Sequence, residues 1–310
     1  MKLWVGVTDL NWFDHLAARN PDQVDEVNFW QPSGTQPYKG LPVGSPFLFK
    51  LKSPQNVIAG GGFFVRFTRL PCSVAWEAFG IKNGVPDFET LRARIAHYRR
   101  GAKDPHEANP VIGCNLLAEP FFLEERDWIP TPAAWAHNIV QGRSYDTDEP
   151  EGAALWAEVS ARLARDRPWA VEESQPARFG NAYLTHPRLG QGSFRILVTD
   201  AYERRCAITG ERTLPALDAA HIKPYAADGP HRVSNGLLLR SDLHRLFDTG
   251  YLTVTPELRV EISPRIREEY ENGRVYYACH GQRLTKVPGD AAERPGRDFL
   301  EWHNTHVFMP

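Results

Sequence analysis

The stretch from Leu217 to Asp248 constrains the fold more than any other part of the chain. It reads Leu217-Asp218-Ala219-Ala220-His221-Ile222-Lys223-Pro224, then Ser234-Asn235-Gly236-Leu237-Leu238-Leu239, then Ser241-Asp242-Leu243-His244-Arg245-Leu246-Phe247-Asp248. The apolar run carrying His221 is strand-like, Asn235-Gly236 signals a turn, and Leu237 to Leu239 makes a second short strand. Ser241 is placed as the N-cap of a short helix and Gly250 as its stop. On that helix Leu243, Leu246 and Phe247 share one face and can pack on the hairpin. His244 then turns toward the groove that contains His221. Asn235 follows His221 by 14 residues and precedes His244 by 9.

A strand His, a turn Asn and a helix His in this order resemble the HNH endonucleases, whose motif is a ββα unit around a metal. The flanks agree. Arg188-Leu189-Gly190-Gln191-Gly192-Ser193-Phe194-Arg195, Ala201-Tyr202 and Cys206-Ala207-Ile208-Thr209-Gly210 are similar to the lead-in helix and turn of the bacterial restriction-type branch. The resemblance spans residues 187 to 290. Phosphodiester hydrolysis needs an activated water, a charge sink on the phosphate and help for the leaving oxygen. An imidazole titrating near neutrality can take the proton, a role that falls to His221. The resemblance implies that His244 is a metal ligand and that Asn235 orients the loop and the base. One Mg²⁺ or Mn²⁺ per site is the expected cofactor, since a sparse N/O site suits an ion shared with phosphate oxygens.

Many members of the family carry an acidic residue or a His directly before the catalytic His; here that position is Ala220. Asp218 is the first candidate for the second metal ligand, ahead of Asp242 and Asp248. Strand alternation sets Asp218 and His221 on opposite faces unless a bulge intervenes. Lys223, Arg232, Arg240 and Arg245 surround the motif, and Lys223, Arg240 and Arg245 are taken as phosphate contacts. His231, His280, His303 and His306 match nothing in the pattern and are assigned to surface or packing. Cys72, Cys114, Cys206 and Cys279 form no CxxC pair, so neither a structural zinc nor a disulfide scaffold is expected.

A chain of 310 residues suits two domains. The first segment, 1–145, alternates strands, glycine turns and short helices without a βαβ rhythm, which fits a small barrel with appended helices. Strands are expected over Leu3–Val7, Val27–Trp30, Pro46–Leu51, Val57–Phe67 and Val111–Leu117. Helices are expected over Asn11–Ala17 and Phe88–Arg100, the latter with Leu91, Ile95 and Tyr98 on its apolar face. Gly60-Gly61-Gly62 inside a strand pattern marks a bulge or a close approach by backbone or ligand. The runs Trp4 to Asp9 with Trp12, Asn28 to Ser33, Gly44 to Leu51 and Ile58 to Phe64 resemble the PUA-like superfamily that includes the SRA, YTH and EVE readers of modified bases. That resemblance implies a pocket for an extruded base, with Trp12 and Trp30 as candidate walls and Asp9 as the edge reader. Residues 146–187 read as a linker with one helix on which Ala154, Leu155, Val159 and Leu163 share a face, and 188–310 as the nuclease domain.

Charged residues at 24% and hydrophobic residues at 42% exclude wholesale disorder and a fibrous chain. No run approaches the roughly 20 apolar residues that cross a bilayer, and the start is too short and too soon acidic for a signal peptide, so a soluble, cytoplasmic, bacterial protein is expected. The net charge of −2 leaves any nucleic-acid role to local sites. The expected fold class is α+β: an N-terminal PUA-like β-barrel and a C-terminal ββα-metal HNH domain. The expected function is a modification-dependent DNA endonuclease of the restriction type, with double-stranded DNA carrying modified cytosine as partner. Double-strand cleavage by a one-site nuclease suits two copies, which allows for a homodimer. The alternatives are an inactive reader of modified nucleic acid and an HNH nuclease acting on unmodified DNA or RNA.

Overall fold

The computed structural model describes residues 1–20, 23–33, 40–99, 107–136, 138–166 and 189–310. The chain divides into two compact units, Met1–Gly190 and Gln191–Pro310. The part of the expected linker that covers 167–187, together with Arg188 of the expected lead-in, lies outside the described residues.

The first unit is built on β1 (Lys2–Thr8), β2 (Glu26–Gln31), β3 (Pro46–Leu51), β4 (Val57–Pro71), β5 (Val111–Phe122), β6 (Ile129–Pro130) and β7 (Gly142–Asp146). Helices α1 (Leu10–Ala17), α2 (Cys72–Phe79), α3 (Phe88–Tyr98) and α4 (Pro150–Asp166) complete it. The sheet runs β2-β5-β4-β3-β1-β7, with β6 added on β4. All neighbours are antiparallel except β1 and β3, whose register places Trp4 opposite Phe47 and Val5 opposite Leu48. Register shifts in β4 fall at Gly61/Phe63 and Phe64/Arg66, so the expected bulge is present and bends the strand. A side chain at Gly60 would run into the Phe121 carbonyl, so the close approach is that of β5's backbone.

The closed barrel expected from the sequence is not formed among the described residues: the path of paired strands ends at β2 and at β7. The reason lies in the side chains. Every residue of β3 is buried, and on β1 Leu3 and Val5 point one way while Trp4 points the other. Strands apolar on both faces need cover on both sides. One side packs with α1 through Trp12, Phe13 and Leu16. The other packs with Leu155, Val159 and Leu163 of α4, which explains why the helix read as part of a linker is seated on the sheet. Ala154, expected on that same face, is exposed. Tyr98, expected on the apolar face of α3, is 44% exposed, while Leu91 and Ile95 are fully buried.

The second unit opens with α5 (Gln191–Ala201), followed by the hairpin β8 (Leu217–His221) and β9 (Gly236–Arg240) and by α6 (Ser241–Asp248). A small ribbon, β10 (Leu252–Val254) and β11 (Val260–Ile262), helices α7 (Arg265–Tyr270) and α8 (Arg274–Tyr277), and α9 (Arg297–His306) follow. One core gathers Phe194, Val198, Tyr202, Leu237 to Leu239, Leu243, Phe247 and Leu300. Leu243 and Phe247 are buried on the face expected of them. Ser241 is not the N-cap: Arg240 occupies that position, and the Ser241 hydroxyl donates to the Ala216 carbonyl. Gly250 follows the helix with a positive φ of 80°, the left-handed stop that glycine favours.

Candidate active site

The hairpin presents His221 at the end of β8, paired with Gly236, the first residue of β9. The loop between them is pinned by Asn235, which is fully buried. Its Oδ1 accepts from the Lys223 amide at 2.9 Å, and its Nδ2 donates to the carbonyls of Lys223 at 2.9 Å and Pro230 at 3.0 Å. The Ile222 amide donates to Asn235's own carbonyl. One side chain therefore bonds three backbone groups, of which the Lys223 N–H and carbonyl would otherwise be stranded in an irregular loop.

The His221 ring stacks on Phe194 of α5, with centroids 3.8 Å apart and planes 15° apart. Its Nε2 lies 2.9 Å from Nδ1 of His231. His231 was expected at the surface or in packing; instead it bonds directly to His221. Burial, with the His231 and His244 charges acting in the same direction, lowers the His221 imidazole to about 4. A ring held neutral in this way is available to accept a proton at neutral pH.

His244 on α6 stands between two carboxylates. Its Nδ1 is 3.6 Å from Asp218 Oδ2 and its Nε2 is 3.2 Å from Asp248 Oδ2. Partial burial raises the Asp248 carboxyl above its ordinary range, with His244 opposing that shift and Asp218 adding to it. An imidazole and two carboxylates are a donor set that fits a divalent ion. Among the described residues, no three His, Cys, Asp or Glu side chains converge into a ready-made cage. Asp242 is directed elsewhere: Arg240 forks onto it through Nε at 2.6 Å and an Nη at 2.8 Å, which holds its carboxyl below the usual range. Arg240 pairs with Leu217 at the opposite end of the hairpin from His221. The Lys223 ammonium lies over the Trp302 ring at 5.7 Å, and Arg245 is exposed on α6.

In the first unit a pocket of about 320 Å³ opens beside β1, β2 and α3. Asp9, Trp12 and Trp30 all line it, together with Gln31, Lys52 and Tyr98. Their situations differ. Trp12 is 3% exposed and meets Phe29 and Phe49 edge to face, so it forms floor and core. Trp30 is half-buried, and its indole N–H donates to the Asn83 carbonyl. One oxygen of Asp9 accepts from the Trp12 amide as the cap of α1, and the other accepts from the Tyr98 hydroxyl. Arg94 lies 3.7 Å from the same carboxylate. Lys52 Nζ donates to the Tyr98 hydroxyl at 3.2 Å. Gln31 is 7% exposed, and its Oε1 is buried with no hydrogen-bond partner. Sequence reading missed Gln31, Tyr98 and His231. Gln31 carried a signal, since an amide stands there on the Val27–Phe29 face of a strand; His231 sits in a loop with no periodicity to mark it.

Residues 206–255 match the family model HNH_2, described as HNH endonuclease. The chain carries an HNH endonuclease domain. HNH nucleases use a divalent metal ion, in keeping with the donors around His244. No curated protein sequence matches the chain. Two solved structures overlap it weakly. One is a mutant ZmASCH protein from Zymomonas mobilis, with a TM-score of 0.32 and 7% identity over 51% of this chain and 95% of that one. The other is the modification-dependent TagI restriction endonuclease, with a TM-score of 0.29 and 14% identity over 97% of this chain and 81% of that one. Overlaps of this size carry no argument about function. No helix among the described residues is long and apolar enough to cross a membrane.

Proposed function

We propose that the chain is a modification-dependent DNA endonuclease, in which the first unit reads a modified cytosine and the HNH domain hydrolyses a phosphodiester bond. The observation that carries the nuclease half is the pairing of a half-buried His221, stacked on Phe194, with a separate imidazole–carboxylate cluster at His244, Asp218 and Asp248, within the ββα unit. His221 takes the proton from the attacking water. Asn235 holds the loop that aims it. His244 and Asp218 would hold a divalent ion, Mg²⁺ or Mn²⁺, with Asp248 beside the ring's other nitrogen. Such an ion, when bound, places positive charge against the scissile phosphate and the leaving oxygen. Lys223 and Arg245, whose charges are not tied to a carboxylate by any described ion pair, contact flanking phosphates. Arg240 is committed to Asp242 and contributes less.

The reading half is supported by the pocket. It has the size for a single base, an aromatic rim at Trp30 and Tyr98, and one buried acceptor at Gln31 Oε1 that lacks a donor. A flipped cytosine brings an exocyclic amino group that can supply it. Asp9, occupied by the α1 cap and by Tyr98, shapes the rim. The PUA-like character of this unit and a homodimeric assembly belong to the same proposal.

The test is digestion of three plasmids, unmodified, 5-methylcytosine-containing and 5-hydroxymethylcytosine-containing, with Mg²⁺ or Mn²⁺ and with chelator. The expected result is metal-dependent cleavage of one or both modified plasmids and little of the unmodified one, with all cleavage lost in His221→Ala. Equal cleavage of all three would remove the reading half, and full activity in His221→Ala would remove the assignment of the base.

A further inference from the structure

We propose that His231 is a positioning residue for His221, accepting the Nε2–H of that ring and so fixing the tautomer whose Nδ1 is the free base. This rests on the reading of His221 as the general base. The two nitrogens are 2.9 Å apart. A neutral imidazole carries one proton, so one ring donates and the other accepts. If His221 donates from Nε2, its Nδ1 keeps a bare lone pair and can take a proton from water. The reverse arrangement protonates Nδ1 and leaves His221 with no basic nitrogen to offer. Catalysis selects the first arrangement.

The surroundings hold the pair in place. Phe194 stacks on His221, and Tyr225 stacks on His231 with centroids 4.8 Å apart and planes 9° apart. Phe194 also meets the edge of the pair, tilted against His231 at 5.8 Å. Asn235 ties both backbones to one point, since it bonds Lys223, two residues past His221, and Pro230, the residue before His231. Three rings and one amide thus fix the direction of the second nitrogen of His221.

In the chemical step a water O–H bond breaks and its proton goes to Nδ1 of His221. The water oxygen bonds to phosphorus, the phosphorus–oxygen bond to the leaving group breaks, and that oxygen departs with the electron pair. Nε2–H stays on His221. As the ring becomes cationic, its bond to the His231 lone pair becomes charge-assisted and strengthens. This is what the half-buried ring needs, because Phe194 offers it no polar partner.

The experiment compares His221→Ala, His231→Ala and His231→Gln in the full chain, on whichever plasmid the wild type cleaves, with Mn²⁺ present. His231→Ala is expected to lower kcat by about 30-fold or more, a part of the roughly 10²–10⁴-fold that a general base supplies, with KM changed less than about 3-fold. His231→Gln, whose Oε1 can accept from Nε2–H, is expected to recover most of that loss. Exogenous imidazole is expected to restore His231→Ala, with no effect on the wild type. If His231→Ala keeps wild-type kcat while His221→Ala is inactive, the positioning role is wrong and the base stands. If His231→Ala is impaired and neither glutamine nor imidazole restores it, His231 is structural and the proposal is overturned. If His221→Ala cleaves normally, the underlying reading falls with it. Should His231→Ala fail to fold, His231→Gln decides alone: a loss of about 30-fold or more in that variant overturns the proposal.

Discussion

Asn235 shows how much of the site depends on one neutral side chain. Removing its amide strands the Lys223 N–H and the Lys223 carbonyl and takes one of two donors from the Pro230 carbonyl, which also accepts from the Arg232 amide. Asn235→Ala is expected to destabilise the second unit by about 1–3 kcal/mol, the cost of unsatisfied buried polar groups, and to lower cleavage with it. Calorimetry and a cleavage assay on the same preparation check both. Among the cations, the ion pairs give a ranking. Lys223→Ala and Arg245→Ala are each expected to weaken DNA binding regardless of sequence and to reduce the salt slope by about one. Arg240→Ala is expected to leave that slope nearly unchanged, because its guanidinium is engaged by Asp242. Binding titrations from 50 to 200 mM salt, a span over which phosphate contacts dominate, decide the order. An equal loss in all three variants would show that Arg240 leaves Asp242 for the phosphate.

At the scale of elements, α6 and α9 are joined through His303. Its ring stacks on Phe247 at 3.7 Å, its Nδ1 shares a hydrogen bond with the Thr253 hydroxyl at 2.8 Å, and its Nε2 bonds the Phe247 carbonyl at 3.1 Å. Burial lowers this imidazole to about 4, the carbonyl opposing the shift. In the unfolded chain it titrates near 6.5, so between those values the unfolded state binds the extra proton. The stabilisation is therefore complete above about pH 6.5 and is lost as pH falls toward 4. Its size is on the order of 3 kcal/mol at one pKa unit per 1.4 kcal/mol. Denaturant unfolding from pH 7 to pH 4 should show a flatter pH dependence in His303→Gln than in the wild type. Identical slopes would mean that other groups carry the acid sensitivity. The same helix α6 carries His244 and Asp248, while Asp218 comes from β8; Asp218→Asn is expected to abolish metal-dependent cleavage. Asp248→Asn, on the ring's other nitrogen, is expected to lower apparent metal affinity by about 10–100-fold, the effect of losing a partner that orients a ligand. Metal titrations of cleavage separate the two, and the reverse order would reassign the ligand.

At the scale of the whole molecule, each unit has its own core and its own candidate site, so the two proposed activities are expected to be separable by mutation. Gln31→Ala is expected to weaken binding of the modified plasmid by about 10-fold or more, the range in which a lost partner for a polar group costs affinity, while metal-dependent turnover at saturating DNA persists. His221→Ala is expected to do the opposite, keeping selective binding and losing cleavage. Binding and cleavage measured on the same three plasmids expose either outcome, and a Gln31→Ala variant with unaltered affinity would move base reading away from this pocket.

By itself, the sequence determined the parts whose physics is local. The ββα order around His221, Asn235 and His244 could be read because a strand, an amide–glycine turn and an amphipathic helix each leave a short periodic mark, and because the lead-in to α5 repeats a family pattern. Most strands of the first unit were legible for the same reason, as was the bulge at Gly60 to Gly62. What only the tertiary structure decided was what meets what across long sequence distances. The sheet stays open among the described residues, and α4 lies on it, because strands apolar on both faces demand a second cover, a fact about layers that no single strand announces. The environment of Gln31, the exposure of Tyr98, the pairing of His231 with His221 and the capture of Arg240 by Asp242 were likewise hidden, since side-chain direction in loops and at strand ends follows from packing and hydrogen-bond satisfaction rather than from periodicity.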